Sequence, residues 1–170
     1  MTPSRTTISA FRFGYGFHTD HRPPRGADDL MREVREPDEQ PLGGPSLADR
    51  HRMFRDFLAE RKAKAGGNAA RLAIRSLVTD DLTARIRAPL VSRTGFYERL
   101  ATFWSDHFTV AMRGQTTRVV VGRHEADTIR PHIAGNFRDM LRAAPTHPAM
   151  LMFLNQSQSI GPNSAAGKRN

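Results

Sequence analysis

The chain of 170 residues contains no cysteine, so metal-ligand and acid–base chemistry falls first to its seven histidines and seventeen carboxylates. Disulfides, zinc knuckles, thiolate nucleophiles and thiolate-bound clusters drop out together. His107 stands three residues after Trp104 and four after Phe103, which in a helix puts the imidazole on an aromatic face. A ring buried there needs a hydrogen-bond partner or a metal for its nitrogens. Glu125, Ile129 and His132 follow at offsets of four and three, so Glu125 and His132 share a stripe two turns apart, a loose ligand spacing. His147 precedes Pro148, where a side chain can cap a helix. Taken singly, each histidine is more readily a core or capping residue than a ligand. Taken together, His107, His132 and His147 form the candidate metal set, and a divalent metal is the cofactor it calls for.

Other chemical signatures are absent or weak. There is no HExxH and no GxSxG. FGYGF, ending at Phe17, follows no strand and reads as a turn, not a dinucleotide loop. Arg113 and Arg118 flank a stretch that suits an anion, or simply a solvated loop.

The elements that must position these groups are mainly helical. Residues 6–13 read as a short helix or turn ending at Gly14-Tyr15-Gly16. A weak amphipathic helix spans 27–36, and Pro37, Pro41 and Pro45 with Gly43-Gly44 make the loop after it. Ser46 with Asp49 forms a capping box for a helix whose Leu47, Phe54, Phe57 and Leu58 share a face, stopped at Gly66-Gly67. Asn68 caps the next, which runs through Leu72, Leu77 and Val78, breaks near Asp80-Asp81, resumes through Leu82 and Ile86 and ends at Pro89. From Thr94, the recurrence of Phe96, Leu100, Phe103, Trp104, His107 and Phe108 predicts a helix largely buried on that face. The β-branched run TTRVVV, between Thr116 and Val121, predicts a short strand or extended loop. A helix then runs from Gly122 to Ile133, bent near Pro131. Asn136 caps another through Met140 and Leu141 that stops at Pro145, and Thr146 or His147 starts the last, through Met150, Leu151, Phe153 and Leu154.

Charge bounds the partners. The formal net charge is +9, carried by 23 arginines and 3 lysines against 17 carboxylates. Guanidinium forks suit carboxylates and phosphates, although an arginine-rich composition also follows from coding bias. Residues 1–90 carry a formal +4 and residues 91–170 carry +5, so no basic face stands out. With no clustering and no interleaved aromatics, nucleic acid is disfavoured as partner, and an acidic protein or anionic polymer fits better. No stretch reads as a membrane span, and the first ten residues lack the apolar core of a signal peptide. Residues 156–170 hold one sizeable apolar side chain, Ile160, and read as a flexible polar tail or truncated linker after the N-terminal part of a single helical domain over 1–155.

FYERLATFWSDHFTV, starting at Phe96, and IRPHIAGNFRDMLRAAPTHPAMLMFLNQSQS, starting at Ile129, resemble a bacterial family catalogued as domain of unknown function 1800. Its hallmarks include an FWxxHF helix, an IRPHA-GNF segment and an HPAML-YLDN segment. RFGYGF, starting at Arg12, resembles its opening motif. By position the motif residues carry over to Trp104, His107, Phe108, Arg130, His132, Asn136, His147, Pro148 and Asn155, the last standing where the family often has Asp. The resemblance implies a mainly α, irregular multi-helix fold and supplies no reaction. Family members typically continue with a segment rich in Asn, Glu and His, which makes this chain an incomplete domain. Many also look exported.

Two functions stand as expectations. In one, His107, His132 and His147 contribute to a metal-dependent hydrolase or redox site, with Trp104, Arg130 and Asn136 as further candidate functional residues. In the other, the chain is an arginine-rich, non-enzymatic binding or structural module for an acidic partner. Whether it is an enzyme stays open at this point.

Overall fold

The computed structural model describes residues 2–38, 40–63, 68–165 and 167–169. Among these the regular elements are all helical, which makes the fold mainly α, an irregular multi-helix domain. α1 (Arg5–Ile8) runs into a π turn (Ser9–Phe13), followed by α2 (Ala27–Arg35), α3 (Leu47–Lys62), α4 (Ala69–Val91) and α5 (Gly95–His107). α6 (Gly114–His124) continues through a π turn (Glu125–Ile129) into a 3-10 turn (Arg130–His132). α7 (Phe137–Thr146), α8 (Pro148–Phe153) and short 3-10 turns (Gln156–Gln158, Gly167–Arg169) complete the chain. No described helix is long and apolar enough to cross a membrane.

Several helix starts are set by side chains that meet otherwise orphaned backbone donors. Ser46 Oγ accepts from the Asp49 N–H at 3.2 Å and donates to the Asp49 carboxylate at 2.6 Å. Asn136 Oδ1 accepts from the Arg138 N–H at 2.9 Å, and His147 Nδ1 accepts from the Ala149 N–H at 3.2 Å, with Pro148 as the first residue of α8. Asn68 makes no such bond at the start of α4. The stop expected at Gly66-Gly67 lies outside the described residues.

α6 is the hub, packed on α3, α4 and α8, while α5 lies against α2, α4 and the π turn after α6. One apolar cluster gathers Phe57, Ile74, Leu77 and Val119 from α3, α4 and α6. The other gathers Phe108, Ile129, Met140, Ala144 and Met150, with Trp104 and Phe153 against it. Burying one such large side chain contributes about 1.5–3 kcal/mol.

Three expectations fail for identifiable reasons. The run from Thr116 to Val121 is not extended but lies inside α6. Its β-branched residues lower helix propensity by a few tenths of a kcal/mol each, and complete burial of Val119 in the α3–α4 cluster outweighs that. α4 neither breaks at Asp80-Asp81 nor ends at Pro89. Ile74, Leu77 and Ala88 are its buried apolar positions, and Asp81 falls on the same stripe, so a carboxylate occupies a core register. The face expected of α5 is turned: Tyr97, Glu98, Ala101 and Ser105 are buried, whereas Phe103 is 58% exposed and His107 is exposed. What turns it is a buried carboxylate, described next.

Candidate functional site

Two buried ion-pair systems lock the helices around α6. Arg50 of α3 has no exposed surface and uses its whole guanidinium. Its two terminal nitrogens donate to the Asp81 carboxylate at 2.7 and 2.6 Å, Nη1 also donates to the Val119 carbonyl at 2.9 Å, and Nε donates to the Pro45 carbonyl at 2.9 Å. Nη2 additionally meets the Gly43 carbonyl. One side chain thus fastens the 43–45 loop to α3, α4 and α6. Gly122 makes room for it, since a Cβ there would stand 2.0 Å from Asp81 Oδ2.

The second system centres on Arg130, the first residue of the 3-10 turn (Arg130–His132). Its Nη1 and Nη2 grip the Glu98 carboxylate at 2.9 and 2.6 Å, and Nε donates to Glu125 at 2.9 Å. Glu98 is 1% exposed, so α5 must turn this carboxylate inward. Burial opposes the charge on Arg130, but hydrogen bonds and the charge of Glu98, then Glu125, hold its pKa above the usual arginine range. Glu125 also pairs with Arg85 of α4 at 3.2 Å.

Next to these pairs lies a histidine couple. His124 Nε2 sits 3.3 Å from the Ala144 carbonyl, and its ring meets His147 edge to face at 5.2 Å. His147 Nδ1 accepts from Ala149, which leaves the proton on Nε2, 3.4 Å from Asp127 Oδ2. Burial pushes the His124 pKa down to about 4, and burial likewise lowers that of His147 against the pull of Asp127. Both rings are therefore neutral at pH 7.

A cavity of about 70 Å³ opens between α4, α5 and α6, lined by Asp81, Arg85, Ser105, Arg118, His124 and Glu125 among apolar side chains. Ser105 is one of the lining residues, and its Oγ is enclosed without a hydrogen-bond partner among the described residues. Leaving such a hydroxyl unmet costs about 1–3 kcal/mol. Alongside runs a groove of about 620 Å³ with Phe57, Ile74, Val78 and Met112 in its walls and Arg71, Arg75 and Arg118 beside them. No carboxylate lines the groove, and none of these three arginines forms an ion pair among the described residues. Val78, Met112 and Arg118 border both spaces, so the groove and the cavity are neighbours.

A family model described as "Protein of unknown function (DUF1800)" matches residues 10–170. The chain belongs to this family. No curated protein and no solved structure matches it.

The motif residues of this DUF1800 chain occupy separate surroundings. His107 is exposed, edge-on to Trp104 at 5.6 Å, while Trp104 is half-buried against Phe108 and Phe137. His132 Nδ1 donates to the Thr128 carbonyl at 3.0 Å, and Glu125 is turned to arginines instead of to His132. His147 is buried on His124 and Asp127. Among the described residues no group of three or more His, Cys, Asp or Glu side chains could hold a metal ion, so the structure does not assemble His107, His132 and His147 into one. Asn136 is a helix cap, and Arg130 is the hub of the buried pairs. Arg113 rests on the Phe153 ring at 5.0 Å.

Sequence reading missed Arg50, Asp81, Glu98, Ser105, His124 and Gly122. One signal was present: Asp81 falls on the stripe of Ile74 and Leu77, and a carboxylate at a core register demands a buried cation.

Proposed function

We propose that this protein is a binding module for a carboxylate-bearing acidic partner, held in the groove between α4 and α6. The observation that supports this reading is the set of Arg71, Arg75 and Arg118, three guanidiniums around an apolar floor with no carboxylate to neutralise them. Three exposed guanidiniums along one groove give it a positive field that draws an anionic partner. The buried and half-buried arginines are used internally, Arg50 on Asp81, Arg123 on Asp127 and Arg130 on Glu98, whereas the groove's three are exposed and open to an outside partner. Apolar walls add a contact that charge alone does not provide, and they suit an acidic protein segment with interspersed aliphatic side chains. A metal-dependent reaction at His107, His132 and His147 draws no support from where those rings stand.

Fluorescence anisotropy with a labelled acidic peptide of alternating Glu and Leu tests the reading. Binding is expected at about 50 mM salt and weakens on going to about 300 mM, as screening of exposed charges requires. Arg71→Glu with Arg75→Glu reverses the groove's charge on two exposed positions and is expected to lower affinity at least about tenfold. Binding that ignores both salt and the double substitution would falsify the assignment.

A further inference from the structure

We infer that the cavity beside the N-terminal turn binds a small methylated ammonium ion, with Glu33 as its counter-charge and the rings of Phe13, Phe17 and Phe96 around it. The space measures about 200 Å³ and lies between residues 10–24, α2, the end of α4 and the start of α5. In a chain with 23 arginines, no arginine or lysine lines it among the described residues, and Glu33 is its one acidic side chain. His21 lines it too, and burial, then the neighbouring His18, keeps that ring neutral at pH 7. Glu33 Oε2 accepts from the Phe96 N–H at 2.9 Å. Its Oε1 has neither a hydrogen bond nor an ion pair among the described residues and is not one of the enclosed polar atoms, so it keeps surface open to a ligand. The adjacent Arg32 is committed to Asp29. Burial pushes the Glu33 carboxyl up against the hydrogen bond from Phe96, as it does for a half-buried carboxylate with no cation paired to it. The wall therefore calls for a cation.

The remaining wall selects the kind of cation. Phe13 meets Phe96 edge to face at 5.6 Å, which sets both rings close to the carboxylate that the Phe96 backbone holds. Phe17 is 62% exposed and reachable from solvent. Aromatic faces attract a cation through their negative quadrupole. Tyr15 is already engaged, since Arg99 stands over its ring at 5.2 Å and its hydroxyl bonds with that of Thr102 at 2.9 Å. Pro23, Pro24 and Pro89 add apolar wall without N–H groups. Ammonium N–H donors would go unmet against rings and prolines, whereas methyl groups belong there. The turn is fixed before any ligand arrives. Arg99 donates to the Gly14 and Phe11 carbonyls at 2.7 and 3.2 Å, and the Gly16 N–H donates to the Ala10 carbonyl at 2.9 Å. The space corresponds to roughly seven water molecules, room for choline and little more. Arg71, Arg75 and Arg118 lie outside this wall, so the site is independent of the acidic-partner reading.

Calorimetric and thermal-shift titrations of the whole chain with choline chloride test this. The controls at matched concentration are ammonium chloride and dimethylbutanol, in which carbon replaces the nitrogen of choline. Saturable heat and a saturable rise in Tm are expected with choline alone. Glu33→Gln keeps an oxygen for the Phe96 N–H and removes the charge, so choline is expected to bind at least about tenfold more weakly. Phe17→Leu, at an exposed position, keeps apolar contact and removes the ring face, with an expected loss of about fivefold. Arg71→Glu with Arg75→Glu leaves choline binding intact and separates this site from the groove. No saturation with choline, an equal response to either control, or unchanged affinity in either single variant overturns the inference. Sedimentation with phosphatidylcholine vesicles that free choline reverses would assign the methylated ammonium to a lipid headgroup, and no sedimentation would assign it to a free solute. The inferred ligand chemistry stands in both cases.

Discussion

Asp81 shows how far one side chain can decide a local structure. Its carboxylate satisfies a guanidinium with no exposed surface, and Gly122 is the only residue type that leaves it space. Asp81→Ala strands the Arg50 charge in the interior, and the expected loss of stability is about 3–5 kcal/mol by urea unfolding. Gly122→Ala is the sharper experiment. In an unobstructed helix this change would gain about 1 kcal/mol, but here a Cβ collides with the carboxylate, so a net loss is expected. Asp81→Ala removes the carboxylate but keeps a Cβ 2.8 Å from the one added at 122, so in the double variant the loss from Gly122→Ala should shrink without disappearing, and a double-mutant cycle measures the coupling. Additive losses would show that the two residues do not share this contact. At this scale the sequence exposed the caps, Ser46, Asn136 and His147, because a cap is a local bond within four residues. It hid Arg50 and Ser105, since an arginine among 23 looks solvated and a serine looks neutral until long-range packing encloses them.

Elements were legible where apolar spacing and burial agree, and misread where a charge sits in the core register. α3 follows its stripe through Phe54 and Phe57, although Met53 and not the exposed Leu58 joins them in the core. α5 follows Glu98 and Ala101 instead of its most conspicuous aromatics, because one buried carboxylate bonded to Arg130 outranks an exposed Phe103. α6 is the clearest conflict between local preference and packing. If it is the helix described, the exposed Thr116 gains from replacement by the better helix former, and Thr116→Ala should raise stability by a few tenths of a kcal/mol. Val119→Ala, in contrast, should cost about 2 kcal/mol, since Val119 is 1% exposed in the α3–α4 cluster. Circular dichroism with chemical unfolding on the two variants checks both signs. A loss at Thr116 would favour the extended conformation that its β-branched neighbours suggest.

For the molecule as a whole, the family and the mainly α architecture were readable from contiguous motifs, whereas the site was not. The family motifs at His107, His132 and His147 lie on three different elements, and the interior polar groups that meet each other come partly from outside them, as His124 does. That couple gives the protein a pH dependence whose sign follows from burial. His124 and His147 each bind a proton less readily folded than unfolded, so the unfolded state takes up protons first as pH falls. The stability they contribute is complete above the ordinary histidine pKa of 6.5 and is lost as pH drops from there through the folded value, about 4 for His124. Glu33, whose carboxyl is raised by burial, takes up its proton more readily when folded and opposes the trend. Replacing His124 with Gln keeps a side-chain N–H for the Ala144 carbonyl and removes the titrating ring. Tm measured from pH 7.5 to 4.5 should therefore fall less steeply in His124→Gln than in the parent, and the two curves should converge toward the acid end. Parallel curves across that window would mean that the acid sensitivity arises elsewhere, and the buried ring would then have to be protonated in the folded protein.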